Sequence, residues 1–152
     1  MKRTIIRILS AVTACSLCLL LASCGKGSSA PAAYADGTYT GRSSDFQEDE
    51  SGNGAGYGEV SITIQNNKIT ACTFSMYELD GTLKDESYGA DLSKENRLKA
   101  QKAVQSAEKY AAKLVEAGSI DDVDAISGAT ISYNELKEAV QDALNKAAVT
   151  AQ

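Results

Sequence analysis

Apolar and polar side chains alternate from Val60 to Gln65, with Val60, Ile62 and Ile64 on one side and Ser61, Thr63 and Gln65 on the other. This period of two is the pattern of a strand with one buried face. Asn66-Asn67 follows, and because asparagine tolerates positive φ, the pair predicts a two-residue turn and a return strand from Lys68 to Leu79. In the simplest register Ile64 faces Ile69, Ile62 faces Ala71 and Val60 faces Thr73. That register sends Thr70, Cys72, Phe74 and Met76 to the opposite face, which then needs cover of its own. Upstream, Asp36-Gly37-Thr38-Tyr39-Thr40-Gly41 is a β-prone piece, and the polar, Gly-rich stretch from Arg42 to Gly56 reads as a loop. Downstream, Asp80-Gly81 marks a turn and Leu83 to Asp91 an irregular segment.

From Ser93 the period changes. Ala100, Ala103, Ala107, Tyr110, Ala111 and Leu114 recur at helical spacing, Ser93 is an N-cap and Gly118 a stop, so a helix is predicted to about Ala117. Its narrow alanine-rich stripe implies close packing on the sheet. Ile120 to Val123 reads as a short strand or an extended connection. Ser132 and Glu135 have the S-x-x-E spacing of a capping box, and Leu136, Ala139, Val140, Ala143 and Leu144 then line one side. The last helix is therefore expected at about Tyr133 to Ala147. With neither internal repeats nor a second core segment, the pattern gives one α+β domain, an antiparallel sheet with two helices packed on one face, over residues 36–148.

The first 23 residues belong to a different class of sequence. Lys2, Arg3 and Arg7 precede an apolar stretch from Ile8 to Leu20, and small residues close it, as in an export signal too short for a comfortable membrane span. Leu21-Ala22-Ser23-Cys24 resembles the bacterial lipobox, in which the chain is cut before the cysteine and its sulfur takes a diacylglyceryl group. On that reading Cys24 is the lipidated first residue and joins membrane lipid, giving a lipid-anchored protein on the extracytoplasmic face of the cell membrane. A plain secretory signal or an uncleaved anchor is the alternative. Residues 24–35 contain Gly, Ser, Ala and the single Pro of the chain, and read as a flexible tether.

Composition narrows the chemistry. Fifteen Lys and Arg stand against 20 Asp and Glu, and Lys2, Arg3 and Arg7 leave with the signal, so the mature chain is the more acidic. Such a surface disfavours nucleic acid, whose binding needs clustered positive charge. The chain has no histidine, which removes Ser-His and Cys-His nucleophiles, histidine zinc sites and histidine-ligated haem together. Cys15 and Cys18 lie inside the signal, so only Cys24 and Cys72 remain after processing and no internal disulfide is available to the lipidated chain. Any redox chemistry must then come from an organic cofactor. The acidic run Glu48, Asp49, Glu50 matches no calcium loop, and no metal site is read from it.

The candidate chemistry lies in Asp124-Ala125-Ile126-Ser127-Gly128-Ala129-Thr130. Thr130 stands two residues before the expected cap Ser132, beside unsatisfied backbone N–H donors and the positive end of a helix dipole, a setting that favours phosphate. Gly128 permits a turn closed to other residues and Ala129 keeps bulk away. The SGAT core with Asp124 ahead of it resembles the signature of the FMN-binding domain family. DGTYTG at residues 36–41, the Gly-Tyr-Gly at residues 56–58, the hairpin and the final helix extend the resemblance. It implies FMN held covalently as a phosphoester on Thr130, donated from FAD by a flavin transferase that recognises the motif, with Asp124, Ser127, Gly128, Ala129 and Ser132 as further cofactor-binding residues. Nothing in the sequence activates the threonine hydroxyl, in keeping with a separate transferase.

Subunits of sodium-pumping NADH:quinone oxidoreductase use the same domain behind a transmembrane helix, whereas the lipobox makes this chain resemble surface flavolipoproteins of extracellular electron transfer. The expected partner is a membrane quinone-linked dehydrogenase or other redox module. Without substrate-processing residues, an electron carrier is expected more than a free-standing enzyme. Tyr57, Tyr88 and Tyr133 are candidate neighbours of the flavin ring, each also open to an ordinary core or surface role. Cys72 reads as a small apolar filler. The competing function is a non-redox surface lipoprotein, a ligand-binding or adhesive module in which SGAT is only a turn.

Overall fold

The alternating stretch and its neighbours form a three-stranded antiparallel sheet in a computed structural model, which describes residues 33–50 and 54–149. The expected signal, Cys24 and most of the tether fall outside the described residues. Strand β1 (Gly37–Arg42) pairs with β2 (Tyr57–Gln65), which pairs in turn with β3 (Lys68–Tyr77). Asn66 and Asn67 take φ of 51° and 62°, the left-handed values of a tight hairpin turn. Of the expected tether, Ala33 to Ala35 are bonded to the chain end: Ala35 N–H donates to Ala147 O at 2.9 Å and Val149 N–H to Ala33 O at 2.9 Å.

The hairpin register departs from the simple expectation. Ile64 faces Ile69, but Thr63 faces Ala71, Ile62 faces Cys72 and Val60 faces Phe74. A β-bulge between Thr63 and Ile64 leaves Thr70 as an extra residue on β3, and one extra residue reverses the side of everything beyond it. Phe74 and Met76 therefore join Val60, Ile62 and Ile64 in the core instead of forming a second apolar face.

Both helices cover that one face. Helix α1 (Lys94–Ala117) starts at Ser93, whose hydroxyl accepts Asn96 N–H, and stops at Gly118 in the left-handed conformation with φ of 73°. It brings Tyr110 and Leu114 onto β3, while α2 (Thr130–Ala147) lays Leu136, Ala139, Val140 and Ala143 on β1 and β2. Contact is closest at Gly41, where a Cβ would collide with Ala139 O and lie 2.6 Å from Ala143 N. The expected extended piece at Ile120 is a single 3-10 turn, Ile120–Asp122, capped by Ser119 and anchored by buried Ile120.

The start of α2 is the second departure. It begins at Thr130, with Ala129 as an N-cap that makes no side-chain bond, and Tyr133 N–H reaches Ala129 O at 3.1 Å. Ser132 and Glu135 do not form a capping box: both lie past the cap within the helix, 3% and 1% exposed, with Glu135 against Gly58 of β2. Burial of that face takes precedence over the local capping pattern, so the helix gains three residues at its front.

Candidate functional site

The segment ahead of α2 is held by a residue of α1. Tyr110, fully buried, donates its hydroxyl to Ala129 O at 2.9 Å and accepts Ile126 N–H at 2.8 Å. Between those two points Ala129 N–H bonds back to Ile126 O at 2.9 Å, which closes a turn through Ser127 and Gly128. Gly128 has φ of 74°, as the third position of such a turn requires, and a Cβ there would lie 2.6 Å from Lys102 Nζ. Thr130 emerges as the first helical residue, not two residues ahead of the cap, and its side chain is exposed.

Gly128, Ala129, Thr130, Ile131 and Ser132 form one lip of a cleft of about 1050 Å³. The N–H groups of Thr130, Ile131 and Ser132 precede the first bond of the helix, so the lip carries the free donors and positive end of α2. Across from it runs the loop after β3, from Leu83 to Leu92, with Tyr88, and Ala100 and Ala103 of α1 close one end. Gln101 Nε2 donates to Tyr88 O at 2.8 Å, which pins that loop to α1. Lys102 rests against Gly128, and Lys99, paired with Glu95 at 3.6 Å, also lines the cleft.

The interior of the cleft holds two charged side chains that sequence reasoning gave no role in the site. Glu135 is 1% exposed, and its Oε1 has no hydrogen-bond partner. Burial pushes its carboxyl up to about 7, with Lys84 pulling the other way and Glu138 adding to the rise. Lys84 is 8% exposed, and burial lowers its ammonium against the opposing influence of Glu135 and Glu78. No ion pair closes between the two. Lys84 is fixed by its own N–H on Met76 O at 2.8 Å and by the Tyr88 ring, 5.0 Å from Nζ. The sequence signal was the Gly-Tyr-Gly that opens β2: Gly56, just ahead of the strand, leaves room for Lys84, and a Cβ on Gly58 would sit 2.9 Å from Glu135 Cβ.

Of the three tyrosines singled out in the sequence, Tyr88 alone lines this cleft. Tyr57 stacks on Tyr77 at 5.3 Å with the Arg42 guanidinium 3.7 Å from its ring, and Tyr133 packs on Tyr110 at 6.0 Å. Both lie elsewhere because strand and helix parity point them away. Asp124 and Ser127 are exposed and do not line the cleft, whereas Gly128, Ala129, Thr130 and Ser132 do. Glu48 lies at the rim. Cys72 is partly buried, and burial pushes its thiol up to about 11, so it stays protonated near neutral pH.

An exposed hydroxyl at a helix start, a cleft of mixed polar and apolar lining and an unpaired buried carboxyl suit a phosphate-linked planar ring whose edge is polar. The fold is similar to the crystal structure of the CPE2226 protein from Clostridium perfringens, with a TM-score of 0.55 and 23% identity over 76% of this chain and 89% of that one. Among curated proteins none matches the chain. The model of the FMN-binding domain matches residues 54–145, which span β2, β3, α1, most of α2 and every residue lining the cleft but Glu48, and the chain therefore belongs to the FMN-binding domain family.

Proposed function

We propose that the protein is a membrane-anchored, extracytoplasmic flavoprotein that carries FMN as a phosphoester on Thr130 and relays electrons from a membrane redox module to an external acceptor. The observation that carries this reading is the position of Thr130, exposed at the first turn of α2 and on the lip of the cleft. Free backbone donors and the helix dipole stabilise a phosphate there, and Lys102 adds positive charge. Bound FMN supplies electron transfer in single or paired steps; the chain holds the ring and excludes water from it. A flavin transferase makes the ester from FAD, recognising the motif around Thr130.

A covalent link suits an exported protein. A cofactor held at micromolar affinity, worth about −8 kcal/mol, drains into dilute surroundings, whereas an ester does not dissociate. Diacylated Cys24, with residues 24–35 as spacer, keeps the domain at the membrane beside a quinone-linked dehydrogenase. No helix among the described residues is long and apolar enough to cross a membrane, so in this reading the lipid is the anchor.

Mass spectrometry after co-expression with a flavin transferase tests the site: an FMN adduct is expected on Thr130 and is absent in Thr130→Val. A colourless, unmodified wild-type protein from those cells would overturn the flavin reading. Cys24→Ala is expected to move the protein from the membrane fraction to the soluble one, which tests the anchor separately.

A further inference from the structure

Glu135 and Lys84 are an expensive pair to bury without mutual contact. A carboxyl that is 1% exposed, lacks a partner for one oxygen and lines a cleft loses solvation that the charge of Lys84 returns only in part. Glu48, Asp80 and Asp91 also line the cleft, but they are exposed and keep their water. The pair is also held in place: Gly56, just before β2, and Gly58 of β2 make room for Lys84 and Glu135, and the Tyr88 ring covers the ammonium. A site with one buried acceptor and one buried donor, among Met76, Ala100 and Ala103, fits a flat apolar ring with donor and acceptor side by side on one edge.

We propose that Glu135 and Lys84 read the polar edge of the flavin ring, with the unpartnered carboxylate oxygen accepting the ring N–H that stands between two carbonyls and the ammonium donating to one of those carbonyls. The inference rests on the flavin reading above and adds to it the residues that orient the ring. These two are positioning residues: the ester fixes one end of the cofactor, and the pair fixes the rotation of the other. The motif alone cannot do this, because a tethered ring remains free to turn about the chain that joins it to the phosphate.

The test uses the full chain, flavinylated in cells with a transferase and supplied with flavin labelled with nitrogen-15. Proton–nitrogen NMR then reads the ring N–H directly. In the wild type its exchange with water is expected to be slowed at least about tenfold relative to free FMN, as for a hydrogen bond to a charged acceptor that must open first. In Glu135→Leu that protection is expected to vanish. Lys84→Met, which keeps the acceptor, is expected to shift the ring carbonyl bands in the infrared spectrum. An N–H that exchanges in the wild type as fast as in free FMN overturns the proposal without need of a variant, and so does protection that survives Glu135→Leu. Absence of any adduct instead removes the flavin reading itself, so the two failures are distinct.

Discussion

Tyr110 Oη stands 2.9 Å from the carbonyl oxygen of Ala129, so a side chain from the middle of α1 fixes the residue immediately before Thr130. The same hydroxyl takes Ile126 N–H, which makes one phenol the joint between the long helix and both ends of the Ser127–Gly128 turn. Tyr110→Phe leaves the Ile126 N–H without its partner and takes from Ala129 O one of its two donors, the other being Tyr133 N–H, at a cost of about 1–3 kcal/mol. Chemical denaturation is expected to show that loss, and flavinylation by a transferase to slow, because the acceptor segment is no longer held in one shape.

Gly128→Ala puts a Cβ on a residue with φ of 74°, and Lys102 must give way as well. The left-handed conformation costs a non-glycine residue about 1–2 kcal/mol, which is expected as a lower midpoint of unfolding. The adduct on Thr130 is expected to fall further than stability does, since the strain is local to the acceptor. Equal losses in both would show that the turn matters only to the fold.

Glu135 gives the apoprotein a pH dependence of known sign. Its carboxyl titrates at about 7 in the fold against an ordinary 4.5, so the folded state holds the proton more tightly than the unfolded chain. The stabilisation is full below the unfolded value and is lost as pH rises through 7, by about 3 kcal/mol at most. Lys84 and Glu138 act on this group, Glu78 acts on Lys84, and Glu48 faces Tyr88, so the loss is spread over a broad range. Glu135→Gln is expected to flatten the profile and to raise the melting temperature of the apoprotein at pH 8. An unchanged profile would mean that the carboxyl is not buried as described.

Gly41→Ala separates packing from chemistry. A Cβ at this position collides with Ala139 O and crowds Ala143, forcing α2 off β1 at the end remote from Thr130. Overpacking of this kind costs about 1–3 kcal/mol. Thermal unfolding is expected to shift downward, while the folded fraction still takes up one FMN on Thr130.

The strand alternation, the Asn66-Asn67 turn, the Ser93 cap and the Gly118 stop were legible in sequence because each is a local choice settled by neighbours a few residues away. The FMN-binding family was legible for the same reason, since the SGAT residues, their turn and the helix start are contiguous. The bulge at Thr70 was not, because it answers to which side chains the helices bury, and it carried Phe74 and Met76 into the core. Nor was the true start of α2: Ser132 and Glu135 satisfy a capping pattern on paper, yet the sheet claims both side chains for the interior. Lys84 and Tyr88 come from one loop and Glu135 from α2, while Tyr110, which holds the segment before Thr130, comes from α1. Their meeting around one cleft depends on helix and strand packing at long range, which no local pattern encodes and only the assembled tertiary structure decides.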